Sequence, residues 1–208
     1  MRHDPTDFFR FFSLAVNLIA LTACTKNDAP VDNAVVTNDV APDGVAGTDA
    51  TAGTAMAGVP QSVELKGGDG KMLGSVTVGE DPAGLVINVS AIAMPPGVHG
   101  IHLHEKGLCE GPKFASAGAH WNPGAKQHGR DNLAGPHAGD LANLTVAADG
   151  SAKVSIPVAG VKMASGSMML AEADGTALVV HAKADDYKTD PSGDSGDRIA
   201  CAVLAAPK

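Results

Sequence analysis

The sequence has few aromatic residues, which make up only 3% of the chain. Four of its five phenylalanines fall within residues 8–12, so Phe114, Trp121 and Tyr187 are the aromatics left for a folded domain. A core built on aromatic rings is therefore excluded, and the core must come from Val, Leu, Ile, Ala and Met. Glycine, by contrast, occurs 25 times, which suits a fold with many tight turns.

The sequence also lacks any run of basic residues. Its 15 Lys and Arg are outnumbered by 23 Asp and Glu, which gives a formal net charge of −8. Because binding to nucleic acid needs a concentrated positive surface, this balance argues against nucleic acid as a partner.

The apolar run near the N-terminus, residues 11–21, is too short to span a bilayer but has the length of a signal-peptide core. It ends in LTAC (residues 21–24), which resembles the lipobox of bacterial lipoproteins. We therefore predict a signal peptide over residues 1–23 and a lipid attached to Cys24. The alternative is an ordinary cleaved signal in which Cys24 is incidental.

Residues 24–59 are rich in Ala, Asp, Thr and Gly and show no persistent period, so we predict a flexible tether there. The folded domain is expected over residues 60–208. Thr25, rather than Asp, follows the predicted lipidated cysteine, and this indicates sorting to the outer membrane rather than the inner. The sequence thus predicts a periplasmic domain on a lipid anchor in a bacterial membrane.

The chain has three cysteines, and an odd number in an exported protein needs an explanation. If Cys24 carries a lipid, Cys109 and Cys201 remain. In an oxidising compartment we then expect a disulfide between these two.

Short runs of alternating polar and apolar residues begin near residue 61 and are separated by Gly, Asp and Pro. The predicted strands cover residues 62–66, 72–78, 85–92, 98–104, 141–146, 153–156, 168–170, 177–181 and 199–204. About eight short strands without a long helix indicate an antiparallel sandwich or barrel. Two long loops interrupt the pattern, and such loops on a rigid scaffold often carry binding chemistry. We call residues 105–139 the first loop and residues 185–197 the second loop.

Histidines cluster in and beside the first loop. His102 and His104 are separated by one residue on a predicted strand, so their side chains project from the same face. His181 ends a later predicted strand and could complete a metal site with these two.

A second candidate site lies further along the first loop. His120, His128 and His137 are followed by Asp140. Three imidazoles and one carboxylate are the donors of a closed four-coordinate zinc site.

Four segments resemble signatures of the copper/zinc superoxide dismutases. They are GVHGIHLHE (residues 97–105), SAGAHWNP (116–123), HAGDL (137–141) and GDRIAC (196–201). The resemblance covers residues 60–208. It implies an all-β fold: an eight-stranded antiparallel Greek-key barrel or sandwich, immunoglobulin-like, with two long functional loops.

The resemblance also implies a ligand set for one copper and one zinc per chain. The implied copper ligands are His102, His104, His120 and His181. The implied zinc ligands are His120, His128, His137 and Asp140. His120 would therefore be shared between the two metals.

Several other residues take roles from the same resemblance. Asp185 would link the two metal sites through its carboxylate, and His99 would be structural. Cys109 and Cys201 match the disulfide of the family. Arg198 would bind the substrate anion beside copper.

The implied activity is the conversion of two superoxide anions into oxygen and hydrogen peroxide, as copper is alternately reduced and reoxidised while zinc is structural. His120 would supply a proton to the nascent peroxide. One alternative is a non-catalytic copper- and zinc-binding envelope protein on the same fold, which buffers or delivers metal. Another is an interaction protein displayed at the envelope.

The sequence departs from the family pattern beside the predicted anion site. Asp197 precedes Arg198, where a small residue is commoner, and its carboxylate could weaken the local positive field. Lys183 and Lys188 either add to that field or are only solvated. A homodimer is one open assembly state, and a monomer is the other.

Overall fold

The structure is a computed structural model that describes residues 61–208. The predicted signal peptide, Cys24 and the tether lie outside the described residues. Among residues 61–208, no helix combines the length and the apolar character needed to cross a membrane. The described strands are β1 (Gln61–Gly67), β2 (Met72–Asp81), β3 (Gly84–Ala91), β4 (Gly97–His99), β5 (Ile101–His104), β6 (Leu144–Val146), β7 (Ala152–Ala159), β8 (Thr176–His181) and β9 (Arg198–Ala205).

Seven of these strands form one antiparallel sheet in the order β5-β8-β9-β1-β2-β3-β7, and β4 pairs with β6. The sheet curls into a half-barrel, and the described helical structure is a single short 3-10 turn, Ala115–Ala117. The predicted all-β antiparallel class is therefore confirmed. The Greek-key connectivity stays a prediction.

The core is aliphatic, as the shortage of aromatics predicts. On β2, Val76 and Val78 alternate with partly exposed Thr77, so one face of the strand is buried. Ile87 and Val89 on β3 continue this core.

The strand β8 is buried on both faces, which explains its continuous run of apolar residues. Leu178 and Val180 belong to the main core. Ala177 and Val179 instead pack with Phe114 of the first loop. The first loop therefore covers the outer side of β8 and is held against the sheet.

The predicted strand over residues 98–104 is divided in two at Gly100. The backbone N–H of Gly100 donates to the carbonyl of Lys183 at 2.7 Å, outside any ladder, and a Cβ at this position would lie only 2.9 Å from Cβ of Ser195. The chain changes partner here, because β4 pairs with β6 and β5 pairs with β8.

Two further strand predictions need correction. Of the strand predicted over residues 141–146, only β6 forms, because Asp140, immediately before the predicted strand, instead forms an isolated bridge with His102. The strand predicted over residues 168–170 is wrong. Met169 forms only an isolated bridge with Lys162, so this segment is a loop folded back on itself.

The expected disulfide between Cys109 and Cys201 is confirmed. The two Cα atoms are 5.7 Å apart, and the bond joins positions separated by 92 residues. It links the first loop to β9 and therefore restrains that loop from its N-terminal end.

We expect the Cys109→Ser variant to lose about 2–5 kcal/mol of unfolding free energy, because a cross-link over a long loop restricts the unfolded chain. Urea denaturation of the oxidised protein and the variant measures this. Reduced wild-type protein serves as the matched control and should unfold like the variant. An unchanged midpoint in the variant would contradict the role given to the bond.

Candidate metal centre

Four buried histidines converge from two strands and the first loop. His102 and His104 lie on β5, which pairs with β8, and β8 ends at His181. His120 reaches the same place through an isolated bridge with His104. One ligand atom of each histidine lies within 4.8 Å of those of the other three. The structure thus brings together all four residues predicted as copper ligands.

Hydrogen bonds to backbone carbonyls orient two of these imidazoles. His104 donates from Nδ1 to the carbonyl of Gly118 at 3.0 Å, and His181 donates from Nδ1 to the carbonyl of Gly196 at 3.2 Å. A neutral imidazole that carries its proton on one nitrogen has a lone pair on the other. The Nε2 atoms of both rings therefore present lone pairs to the cluster.

Five buried nitrogens have no hydrogen-bond partner within the described part of the chain, and all belong to the predicted ligands. They are Nδ1 of His102, Nε2 of His104, Nε2 of His120, Nδ1 of His128 and Nε2 of His181. Leaving a buried polar atom unpaired costs roughly 1–3 kcal/mol. Imidazole nitrogen is a suitable ligand for both copper and zinc, so these unpaired atoms fit a bound metal.

The second candidate site is built around one oxygen of Asp140. Its Oδ1 lies 3.0 Å from Nδ1 of His120, 3.0 Å from Nδ1 of His128 and 3.1 Å from Nδ1 of His137. Three imidazoles and a carboxylate therefore converge, as predicted for zinc.

The four residues whose ligand atoms all lie close together at this second site differ from the predicted set. Ligand atoms of His102, His120, His128 and Asp140 lie within 4.8 Å of one another, and His137 is outside this group. His102 has only Nδ1 free, because its Nε2 donates to Asp185. Since His102 is also a member of the group of four histidines, it stands between the two sites.

Asp185 connects the two sites by accepting a hydrogen bond from one histidine of each. Its Oδ2 accepts from Nε2 of His102 at 2.8 Å, and its Oδ1 accepts from Nε2 of His128 at 3.0 Å. The carboxylate is fully buried. Gly193 packs directly against it with φ +67, and a Cβ there would collide with the Asp185 carboxylate. Only glycine fits at this position.

Burial keeps the imidazoles of the first group neutral. It lowers the pKa of His104 to about 2, that of His181 to about 3 and that of His120 to about 4. Neutral imidazole is the form that binds metal, so these ligands need lose no proton at neutral pH.

The acidic groups respond differently. Burial alone would raise the pKa of Asp140 and Asp185, but hydrogen bonds from the histidines hold both well below the usual range. Burial also opposes the charged form of His128, yet its contacts with both carboxylates outweigh this and raise its pKa to about 9. Both carboxylates therefore stay ionised at neutral pH, and each faces at least one imidazole.

Arg198, the first residue of β9, lies beside the histidine cluster. Its guanidinium donates to the carbonyls of Phe114 at 2.7 Å and Gly118 at 2.6 Å. The Gly118 carbonyl also accepts from His104, so the arginine and a candidate copper ligand share one acceptor. Partial burial lowers the pKa of Arg198.

The three other charged residues considered for the anion site lie at the surface. Asp197, Lys183 and Lys188 are all exposed. His99, by contrast, is buried and contacts the carbonyl of His181 through Nδ1 at 2.8 Å and that of Pro95 through Nε2 at 2.9 Å. These contacts agree with the structural role predicted for His99.

Sequence reasoning missed the residues that hold Asp185 in place. Asn143 accepts from the backbone N–H of Asp185 at 2.9 Å and donates to its carbonyl at 3.0 Å. The backbone N–H of Tyr187 donates to the Asp185 carboxylate at 2.7 Å. Their proximity in sequence to Asp140 and Asp185 was the only available signal.

Comparisons with known proteins agree with this geometry. The family model for copper/zinc superoxide dismutase matches residues 72–204. The Cu-Zn superoxide dismutase of Caulobacter vibrioides is 46% identical over 143 residues, which cover 67% of this chain and 82% of that protein. The superoxide dismutase-like protein YojM of Bacillus subtilis is 44% identical over 145 residues, covering 68% and 74%.

Solved structures show the same likeness. A SOD-like protein from Bacillus subtilis superposes with a TM-score of 0.66 at 42% identity, covering 69% of this chain and 97% of that one. The Cu/Zn superoxide dismutase from Brucella abortus gives a TM-score of 0.55 at 30% identity, covering 70% and 99%. With the matched sequence family and the buried histidine clusters, these similarities show that the chain belongs to the copper/zinc superoxide dismutase family and has copper and zinc as its cofactors.

Proposed function

We propose that this chain dismutates superoxide at a copper held by His102, His104, His120 and His181. The observation that carries the proposal is the convergence of four buried imidazoles, each with an unpartnered nitrogen, beside a half-buried arginine. Bound copper would supply a centre that alternates between two oxidation states, and bound zinc would supply positive charge and position without redox chemistry.

His120 is suited to carry a proton. Its Nδ1 lies 3.0 Å from Oδ1 of Asp140. Its Nε2 has no hydrogen-bond partner among the described residues and faces the other histidines of the first group. Among the four, it is the histidine predicted to belong to both metal sets. We assign it the proton that is released at Nε2 to the departing peroxide.

Arg198 is suited to bind the small anion. Two of its nitrogens are fixed by the carbonyls of Phe114 and Gly118, so the planar group is already oriented. An arginine stays charged at neutral pH even when partial burial lowers its pKa. Because the chain as a whole is negative, this local positive charge must attract the substrate.

The zinc assignment completes the proposal. We assign zinc to His120, His128, His137 and Asp140, supported by the three imidazole nitrogens around one carboxylate oxygen. In this arrangement Asp185 fixes the orientation of one ligand at each site. The non-catalytic alternative has no observation in its favour, because the copper set and Arg198 are all present.

The proposed location rests on the sequence alone. We propose that Cys24 carries the lipid, that residues 24–59 tether the domain, and that the domain acts in the periplasm. The LTAC segment and the lack of a persistent period after it support this. Metabolic labelling with a fatty acid tests it, with Cys24→Ala as the control.

The assignment of copper predicts the behaviour of His181→Ala. This residue is outside the second group, so we expect the variant to lose copper and more than about a hundredfold of dismutation while keeping zinc. Metal analysis and a superoxide decay assay measure both. Lys153→Ala, at an exposed position on β7, serves as control. Full activity in the His181 variant would refute the copper site.

The charge beside Arg198 predicts a second result. We expect Asp197→Asn to raise the dismutation rate about two- to threefold at low ionic strength, because a negative charge is removed next to the anion site. The gain should vanish at high salt. Asp149→Asn, in the turn between β6 and β7, removes the same charge elsewhere. Equal changes in both variants would show that only net charge matters.

The depressed histidine pKa values predict an acid-sensitive metal-free protein. His104, His120 and His181 have an ordinary pKa of 6.5 when unfolded and much lower values when folded. Unfolding therefore takes up protons below pH 6.5, so this stability is present above pH 6.5 and lost as pH falls. Each imidazole should contribute about 1.4 kcal/mol per pH unit between pH 6 and pH 5.

Urea denaturation of the metal-free protein at pH 7.5, 6 and 5 measures this loss. His104→Gln is the matched control and should show a shallower dependence on pH by one proton. A stability that stays level between pH 7.5 and 5 would contradict the burial of neutral imidazoles.

A further inference from the structure

Tyr187, the only tyrosine of the chain, joins three segments around the second metal site. Its hydroxyl accepts from the backbone N–H of Asn143 at 2.9 Å. Its carbonyl accepts from the backbone N–H of Asp131 in the first loop at 3.0 Å. Its own N–H donates to the carboxylate of Asp185. One residue of the second loop therefore contacts the first loop, the segment before β6 and the buried carboxylate.

The aromatic ring of Tyr187 also contacts a cation. The guanidinium of Arg130 lies over the ring, with Cζ 3.7 Å from the ring centroid. This is well within the range of a cation–π interaction, and arginine is the usual partner. Arg130 follows His128 by two residues, so the contact is made next to a predicted zinc ligand.

At this contact the backbones of the two loops approach each other closely, and one residue of each loop has a positive φ angle. Tyr187 has φ 64, a left-handed conformation that is uncommon for a bulky residue and is retained only where its surroundings require it. Gly129 has φ +100, and a Cβ on it would collide with the carbonyl of Tyr187. The two loops are therefore pressed together where Arg130 covers the ring.

A second contact runs parallel to the stacked pair. The backbone N–H of His128 donates to Oδ1 of Asp190 at 2.6 Å. His128 thus has its ring against Asp185 and its backbone against Asp190, both in the second loop. Any loosening between the loops would move His128 relative to Asp185.

We propose that Arg130 and Tyr187 form a clasp that joins the two loops and holds Asp185 against His128, which makes both residues positioning residues for the zinc site. This inference rests on the proposed assignment of His128 and Asp140 to zinc. Arg130 does not touch Asp185 itself and acts through the ring of Tyr187. Residues that orient metal ligands from outside commonly change metal affinity when they are removed.

Zinc release from the copper- and zinc-loaded full-length protein, followed with an excess of a chromogenic chelator, tests the clasp. We expect Arg130→Gln to release zinc about two- to fivefold faster, the range given by loss of one cation–π contact. Tyr187→Asn should release it about tenfold faster. Asparagine tolerates the left-handed backbone, so this variant removes the ring without adding strain.

Three variants separate stacking from charge and from the hydroxyl. Arg130→Lys keeps a cation over the ring and should restore most of the slow release. Tyr187→Phe keeps the ring and should fall between wild type and Tyr187→Asn. Lys188→Gln removes an exposed positive charge from the same loop and should leave zinc release unchanged. A role in general stability alone would not follow this order.

The double variant Arg130→Gln/Tyr187→Asn decides whether the pair acts as one unit. We expect it to release zinc no faster than Tyr187→Asn alone, because the effects of substituting two residues in contact are not additive. Additive effects, or wild-type release in Arg130→Gln, would overturn the clasp. If Tyr187→Asn fails to fold, Arg130→Gln and Arg130→Lys still decide, because the Arg130 side chain is exposed.

Superoxide decay measured on the same samples keeps the two proposals apart. A wild-type protein that binds zinc but does not dismutate superoxide refutes the proposed function and leaves the clasp to be judged on zinc release. An active wild-type protein whose zinc release is the same in all variants refutes the clasp alone.

Discussion

The burial of imidazole nitrogens without protein partners is the constraint on which the described domain depends. Four such atoms in the first group of histidines, at roughly 1–3 kcal/mol each, add up to a penalty comparable with the whole stability of a typical domain. Within residues 61–208 only Nδ1 of His128 has a charged protein group close by, the Asp140 carboxylate at 3.0 Å, so metal ions are the natural compensation for the other four nitrogens. Folding and metal binding are therefore linked.

The rest of the molecule meets this demand by fixing two loops against the sheet. Phe114 anchors the first loop on the outer face of β8, and the disulfide ties its start to β9. Arg198 then binds two carbonyls of that loop, one of which also orients His104. The ligand positions are thus set by contacts that come from outside the metal sites.

The same contacts couple the two sites to each other. Asp185 touches one histidine from each group, and it is itself held by Asn143 and Tyr187. Tyr187 is thus connected through the Asp185 carboxylate to His102 as well as to His128.

The sequence by itself determined the all-β class, the short aliphatic strands and the residue types at both sites, because alternation and motif spacing are local properties. The pairing of His102 with His104 on one face follows from strand periodicity alone. The division of the strand at Gly100 and the loop at residues 168–170 could not be predicted from the sequence, because strand pairing is determined by contacts between residues distant in sequence. Only the tertiary structure decided which imidazole nitrogen is left unpartnered, and only it placed Arg130 over Tyr187. Both outcomes depend on hydrogen bonds and packing between segments that the chain brings together from far apart.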